Sequence, residues 1–196
     1  VYDHLNSGEA ARTLNLSSAE QQAVKELFLL SMKPVMYVAN VDEEGLLASP
    51  HVDAIKRPAA DEGSELVVIC SKLEAEIAEL EDSEKTEFLR DYGLSESGLD
   101  RVINAGYKLL QLQTFFTTGE KEVRAWTIKS GASAATAAGT VHTDFEKGFI
   151  RAEVVAYQDY IACNGEQGAK DAGKWRLEGR EYPVQDGDII RIRFNV

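Results

Sequence analysis

The sequence is poor in the residues from which disulfide frameworks and metal clusters are made. Its two cysteines, Cys70 and Cys163, lie far apart and form no Cys-x-x-Cys pair, and the three histidines, His4, His51 and His142, are scattered. This spacing argues against a disulfide scaffold and gives no metal site. No apolar run approaches the roughly 20 residues of a membrane span. No charged-then-apolar leader opens the chain either. A soluble, cytoplasmic protein is expected, without a membrane partner.

Positive charge is also in short supply. Lys and Arg number 21 against 33 Asp and Glu, for a net charge of −12. The deficit is uneven: residues 1–114 carry 10 basic against 21 acidic side chains, and residues 115–196 carry 11 against 12. An acidic N-terminal part repels a phosphate backbone, so no DNA contact is expected and RNA contact falls to the near-neutral C-terminal part. The asymmetry suggests two domains, for which 196 residues suffice.

What is present begins with the stretch from Lys33 to Glu43. An apolar run ends in the polar tetrad Asn40-Val41-Asp42-Glu43, as a buried parallel strand delivers side chains to a ligand at its carboxyl end. The tetrad resembles a base-reading motif. In guanine-specific P-loop proteins Asn-Lys-x-Asp stands at such a strand end, and its Asp accepts from the two donors of guanine's Watson–Crick edge. Here Val replaces Lys, and the longer Glu43 replaces Asp. Asn40 keeps an acceptor and a donor that suit the N6/N7 face of adenine, so the expected preference moves toward adenine. A second strand, Leu66–Cys70, runs into Ser71-Lys72-Leu73-Glu74 about thirty residues later, the spacing of consecutive βα units.

Around these strands the pattern is helical. Residues 1–15 read as the tail of a helix whose partner is missing. Ser17 and Glu20 form a capping box ahead of a helix to about Ser31 that carries Val24, Leu27, Phe28 and Leu30. A segment from Pro50 to about Glu62 is predicted to kink or end early at Pro58, since proline costs roughly 3 kcal/mol in a helix interior. Glu74–Leu80 and Ser83–Tyr92 read as acidic amphipathic helices. Residues 97–110 supply another, with an apolar stripe at Leu99, Val102, Ile103, Tyr107 and Leu110.

At Gln113 the period changes to two. Thr114–Thr117, a turn at Thr118-Gly-Glu-Lys121, and Glu122–Ile128 read as a hairpin. A short Ala-rich helix from Ser133, a strand Phe149–Ala156, a polar loop rich in Gly and Lys, and a last strand Ile189–Phe194 complete a compact β-grasp, or ubiquitin-like, module.

The blocks Lys33–Glu43, Leu112–Thr117, Glu122–Ile128 and His142–Glu153 together resemble the YchF proteins, the Obg-like ATPases. Val184-Gln-Asp-Gly-Asp-Ile-Ile190 resembles the end of their TGS domain. The resemblance implies an α/β chain in three parts: 1–32, the returning helical segment of a coiled-coil insertion; 33–112, the C-terminal half of a P-loop nucleotide-binding domain; and 113–196, an α+β TGS domain. It implies binding of ATP in preference to GTP, a need for Mg2+, and association with ribosomes. Carried over by position, Asn40, Val41 and Glu43 read the base, and Ser71, Lys72 and Leu73 form the loop that closes over it. The family's Walker A loop and switch segments have no counterpart here, so this chain alone is expected to hydrolyse nothing, to hold no catalytic residues and to supply no ligand to Mg2+. The alternative is a non-catalytic ribosome- or RNA-docking module, with Lys170, Lys174, Arg176 and Arg180 as its contact.

Two sequence matches are decoys. Gly168–Lys174 fits G-x-x-x-x-G-K, but Trp175 follows where Ser or Thr would hold magnesium. Asp42-Glu-Glu-Gly45 imitates a D-x-x-G switch. His142, without a nucleophile or metal partner, reads as a capping or packing residue, and Trp126 as core.

Overall fold

A computed structural model describes residues 1–119 and 122–195. Its contacts divide the chain into two units, Val1–Leu109 and Leu110–Val196. Both sheets belong to a mixed α/β architecture, one parallel and one mixed.

In the first unit, α1 (Tyr2–Asn6) and a 3-10 turn at Ala11–Thr13 precede α2 (Ser18–Lys25). The Ser17/Glu20 capping box starts α2 as the sequence requires. The helix stops short of the expected Ser31 because Phe28 adopts φ +48°. Leu27, Phe28 and Leu30 are consequently 61%, 79% and 85% exposed and form no core. Strands β1 (Met36–Asn40) and β2 (Glu65–Ile69) pair in parallel, Asn40 opposite Ile69.

The connection between them is α3 (Pro50–Asp61); of the two outcomes expected at Pro58 the early end does not occur, since the helix runs through Pro58 to Asp61. Ala54, whose carbonyl loses its helical partner to the proline, is exposed, so the carbonyl is not sealed from solvent. Beyond β2 come α4 (Ser71–Glu79), α5 (Asp82–Asp91) and α6 (Gly98–Leu109). The buried face of α6 is also not the expected one. Leu99, Ile103 and Leu110 are exposed, whereas Gly98 and Ala105 are buried. Close approach decides this: a Cβ on Gly98 would meet Ile69 Cγ2 at 2.9 Å and Glu74 Oε1 at 2.7 Å.

The second unit holds a five-stranded sheet of order β4-β3-β7-β5-β6. Strands β3 (Leu112–Thr118) and β4 (Val123–Lys129) form the expected hairpin, whose turn residues Glu120 and Lys121 lie outside the described residues. Next come α7 (Ala134–Val141), capped by Ser133, then α8 (Thr143–Lys147) and β5 (Phe149–Ala156). The stretch expected as a polar loop instead contains α9 (Tyr157–Ala162), α10 (Glu166–Asp171) and β6 (Arg176–Glu178). Ala169 at 0% exposure explains why: α10 buries it against Val155 and Ile189. Strand β7 (Asp188–Phe194) lies antiparallel to β5 and parallel to β3.

On one face of this sheet Phe115, Ile128, Ala152, Val154 and Ile190 pack with Ala134 and Ala137 of α7. Phe115 is fully buried. Phe115→Ala is expected to destabilise this unit by about 3–5 kcal/mol. Both tryptophans, Trp126 and Trp175, lie here, so urea titration followed by tryptophan fluorescence reads the change. An unshifted midpoint would show that Phe115 does not anchor this core.

Candidate functional site

The parallel pairing of β1 and β2 brings two loops to one end of the first unit. The Val41 amide donates to the Ile69 carbonyl at 2.8 Å, extending the ladder one residue past β1. The Asn40 Oδ1 then accepts from the Ser71 amide at 3.0 Å. This bond joins the tetrad to the first turn of α4. Ser71, Lys72 and Leu73, expected as a loop, are thus helical. A buried Cys70 ends β2, and the apolar Leu73, 1% exposed, is drawn inward.

Past the strand, Asp42 Oδ1 accepts from the Gly45 amide at 2.8 Å and closes a turn, which is the role of the D-x-x-G look-alike. Glu43 reaches back across the opening, and its Oε1 meets Lys72 Nζ at 2.8 Å. The hydrogen bond that Lys72 donates to Glu43, and then the charge of Glu43, raise the Lys72 pKa above the ordinary lysine value. Asn40, Val41, Asp42, Glu43, Glu44, Cys70 and Lys72 line an open cavity of about 580 Å3. That volume suits a small-molecule site. Ser71 contributes only its amide to the rim, and Leu73 lies in the core.

Glu74 was not singled out in the sequence. Its two carboxylate oxygens accept the Gly98 and Leu99 amides, at 2.7 and 3.0 Å, at the start of α6. Unsatisfied amides and the helix dipole both favour an acid there. The signal was hidden because the partners are 24 and 25 residues apart.

Each of the four basic residues expected as a contact has a partner within the second unit. Lys170 pairs with Glu166 at 2.6 Å and Lys174 with Asp159 at 3.3 Å. Arg176 lies 3.5 Å from Glu178, 3.6 Å from Asp188, and donates to the Tyr182 hydroxyl. Arg180 donates to the Glu146 carbonyl. The Gly168–Lys174 decoy is partly helix α10. His142 does cap: its Nδ1 accepts from the Asp144 amide at 3.2 Å, starting α8. Trp126 packs on the core and donates to Thr117 Oγ1.

Residues 112–195 match the family model YchF-GTPase_C, described as "Protein of unknown function (DUF933)". Over 98% of its length the chain is 57% identical to the ribosome-binding ATPase YchF of Haemophilus influenzae, and over 97% it is 53% identical to that of Bacillus subtilis. The YchF GTPase structure from Schizosaccharomyces pombe superposes with a TM-score of 0.85 at 33% identity, covering 98% of this chain and 52% of that one. The chain belongs to the YchF family. It spans about half the length of these relatives, 53% in both bacterial cases. A GTP-binding protein of Pyrococcus horikoshii, at 19% identity and a TM-score of 0.59, shares the fold. Among the described residues no helix is long and apolar enough to cross a membrane.

The Glu166 group adds a pH dependence. Lys170 hydrogen-bonds its carboxylate, burial opposes ionisation, and Arg191 grips it at 2.6 and 2.8 Å, holding the pKa below the usual carboxylate value. A lowered folded-state pKa stabilises above the unfolded-state value and is lost as pH falls through the folded-state one. Glu166→Gln is therefore expected to flatten the acid limb of the second unit's stability curve, read by thermal melts between neutral pH and pH about 3. An acid limb identical to that of the unaltered chain would refute the assignment.

Proposed function

We propose that this chain is the base-reading and C-terminal part of a cytoplasmic, ribosome-associated ATPase of the YchF type. The observation carrying this reading is the joined strand-end geometry: Asn40 tied to the Ser71 amide, with Glu43 and Lys72 facing one cavity. A base would enter there with Asn40, Val41 and Glu43 on one side and Ser71 and Lys72, in the first turn of α4, on the other; Leu73, expected beside them, is buried below. Because Asn40 Oδ1 is engaged, its amide nitrogen is the group left to reach a purine N7.

The parallel β1–β2 pair flanked by α3 and α6 supports assigning 33–112 to the second half of a P-loop domain, with 1–32 as the segment returning from a coiled-coil insertion. For 113–196, the β3–β4 hairpin, the α7 helix beneath it and a parallel β7 beside β3 support a β-grasp TGS domain. The names of the relatives, ribosome-binding ATPase and GTPase, support a nucleoside triphosphate and the ribosome as partners.

The group that does not fit these residues is magnesium. Among the described residues no three His, Cys, Asp or Glu side chains gather to hold a metal. Where the whole protein uses Mg2+, the reading places its ligands outside this chain. Phosphoryl transfer needs positioning and charge stabilisation at the phosphates, and the tetrad cavity supplies neither. This chain by itself is expected to bind nucleotide without turning it over.

Calorimetric titration with ATP and GTP in the presence of Mg2+ tests the reading. ATP is expected to bind more tightly than GTP, and Asn40→Ala to weaken ATP by about ten-fold or more, the loss of a hydrogen bond that a bound base would cover. No heat with either nucleotide would overturn base reading by this chain and leave the second assignment, a docking module. Docking by Lys170, Lys174, Arg176 and Arg180 to ribosomal RNA is tested by cosedimentation with ribosomes. Lys174→Glu with Arg176→Glu is expected to reduce it, and unchanged cosedimentation would remove the cluster.

A further inference from the structure

We infer that the cross-strand pair Arg151 and Arg193, on the face of the second unit's sheet turned away from its main core, is an RNA-phosphate site. The inference rests on the ribosome as partner and names the surface that meets its RNA.

The antiparallel register of β5 and β7 sets Arg151 opposite Arg193 and Glu153 opposite Arg191. Side chains alternate along each strand. Ala152, Val154 and Ile190 belong to the main core, so the three arginines and Glu153 share the other face. Helix α10 covers one end of that face, where Ala169 packs on Val155 and Ile189. The end that carries the arginine pair is open: Arg151 is exposed, and the Arg193 side chain is 54% exposed. Immediately before Arg151 the ladder is interrupted, because Phe149 pairs with Phe194 and leaves Ile150 as an extra residue. Phe149 thereby turns to the core, and the arginine pair is the last regular rung on its face.

Residues directly opposite on antiparallel strands stand roughly 4.5–5.5 Å apart at Cα, and like charges there repel. The carboxylates nearby are already committed. Glu153 accepts from Arg193 Nε at 2.9 Å with one oxygen and from Trp175 Nε1 at 3.2 Å with the other. Glu166 is held by Lys170 and Arg191. Strand β6 brings no acid either, since it ends with Glu178 opposite Ala152 and Gly179 follows. Among the described residues Arg151 has neither an ion pair nor a side-chain hydrogen bond. Lys170, Lys174, Arg176 and Arg180, by contrast, are engaged inside the unit. An anion laid across Arg151 and Arg193 would turn the repulsion into attraction, and the guanidinium fork suits phosphate oxygens. RNA is the polyanion that a ribosome presents. The near-neutral second unit lets it approach, where the acidic first part of the chain repels it.

Cosedimentation with ribosomes and fluorescence anisotropy with a labelled oligouridylate across a salt series test this for the 196-residue chain, Arg151→Gln and Arg151→Glu. Arg151→Gln is expected to weaken the RNA by about five-fold and to lower the salt slope by about 1. Arg151→Glu is expected to weaken it further and to reduce cosedimentation. Thermal melting separates site from scaffold: removing one of two like charges is expected to leave the midpoint unchanged or raised. A midpoint that falls in Arg151→Gln together with RNA affinity would make Arg151 a structural residue and overturn the site. RNA affinity within about two-fold of the unaltered chain in Arg151→Glu, with that chain still cosedimenting, would overturn the arginine site and leave the ribosome as partner. Polyglutamate displacing the oligouridylate as readily as unlabelled RNA does would overturn RNA as the occupant. Failure of the unaltered chain to cosediment would overturn the ribosome reading, and this site with it.

Discussion

The bond from the Ser71 amide to the Asn40 carboxamide holds the first unit's cavity together. Two parallel strands end level with each other, and each loop that leaves them has a backbone amide in need of an acceptor. By taking the first amide of α4, Asn40 fixes where that helix begins. The start of α4 in turn sets where Lys72 stands, and Lys72 pairs with Glu43 across the cavity. Glu74, one turn along the same helix, carries the arrangement onward by accepting the first amides of α6. The geometry of the cavity is thereby coupled to the packing of two helices.

In the second unit the organising group is Asp188, 1% exposed at the start of β7. It accepts from the Gln185 amide and from the Tyr182 hydroxyl, each at 2.9 Å, with Arg176 beyond. A buried carboxylate persists only with such partners. Its demand explains why Arg176 is drawn toward the protein. On the other sheet face, Trp175 lies between Lys170 and Arg191 and donates to Glu153, so cations and aromatic surface serve the fold there. The near-neutral charge of this part is a balance of internal pairs.

Much of this was legible from local pattern. The capping residues Ser17, Glu20 and Ser133, the β3–β4 hairpin, and the strands at Phe149–Ala156 and β7 follow from side-chain period and end chemistry, which act over a few residues. The apolar spacing at Leu27, Phe28 and Leu30, beyond the end of α2, misled, because amphipathic spacing records a capacity to bury a face and not the presence of something to bury it against. The α6 stripe misled for a related reason. Gly98 has no side chain to mark it as a contact, yet its lack of a Cβ is what lets the helix approach Ile69. The helices α9 and α10 were hidden in a polar stretch, where one small residue, Ala169, carries the burial.

By itself the sequence determined the strand-and-tetrad pattern at residues 33–43, the capped helices, the switch to period two near residue 113 and the family resemblance, since all of these are properties of neighbours along the chain. Tertiary structure alone decided the pairs that span long separations: Asn40 with Ser71, Glu43 with Lys72, Glu74 with Gly98, and Arg176 with Asp188. Charge and hydrogen-bond partners are chosen by distance in space, and the sequence shows that distance only where a single helix or hairpin sets it.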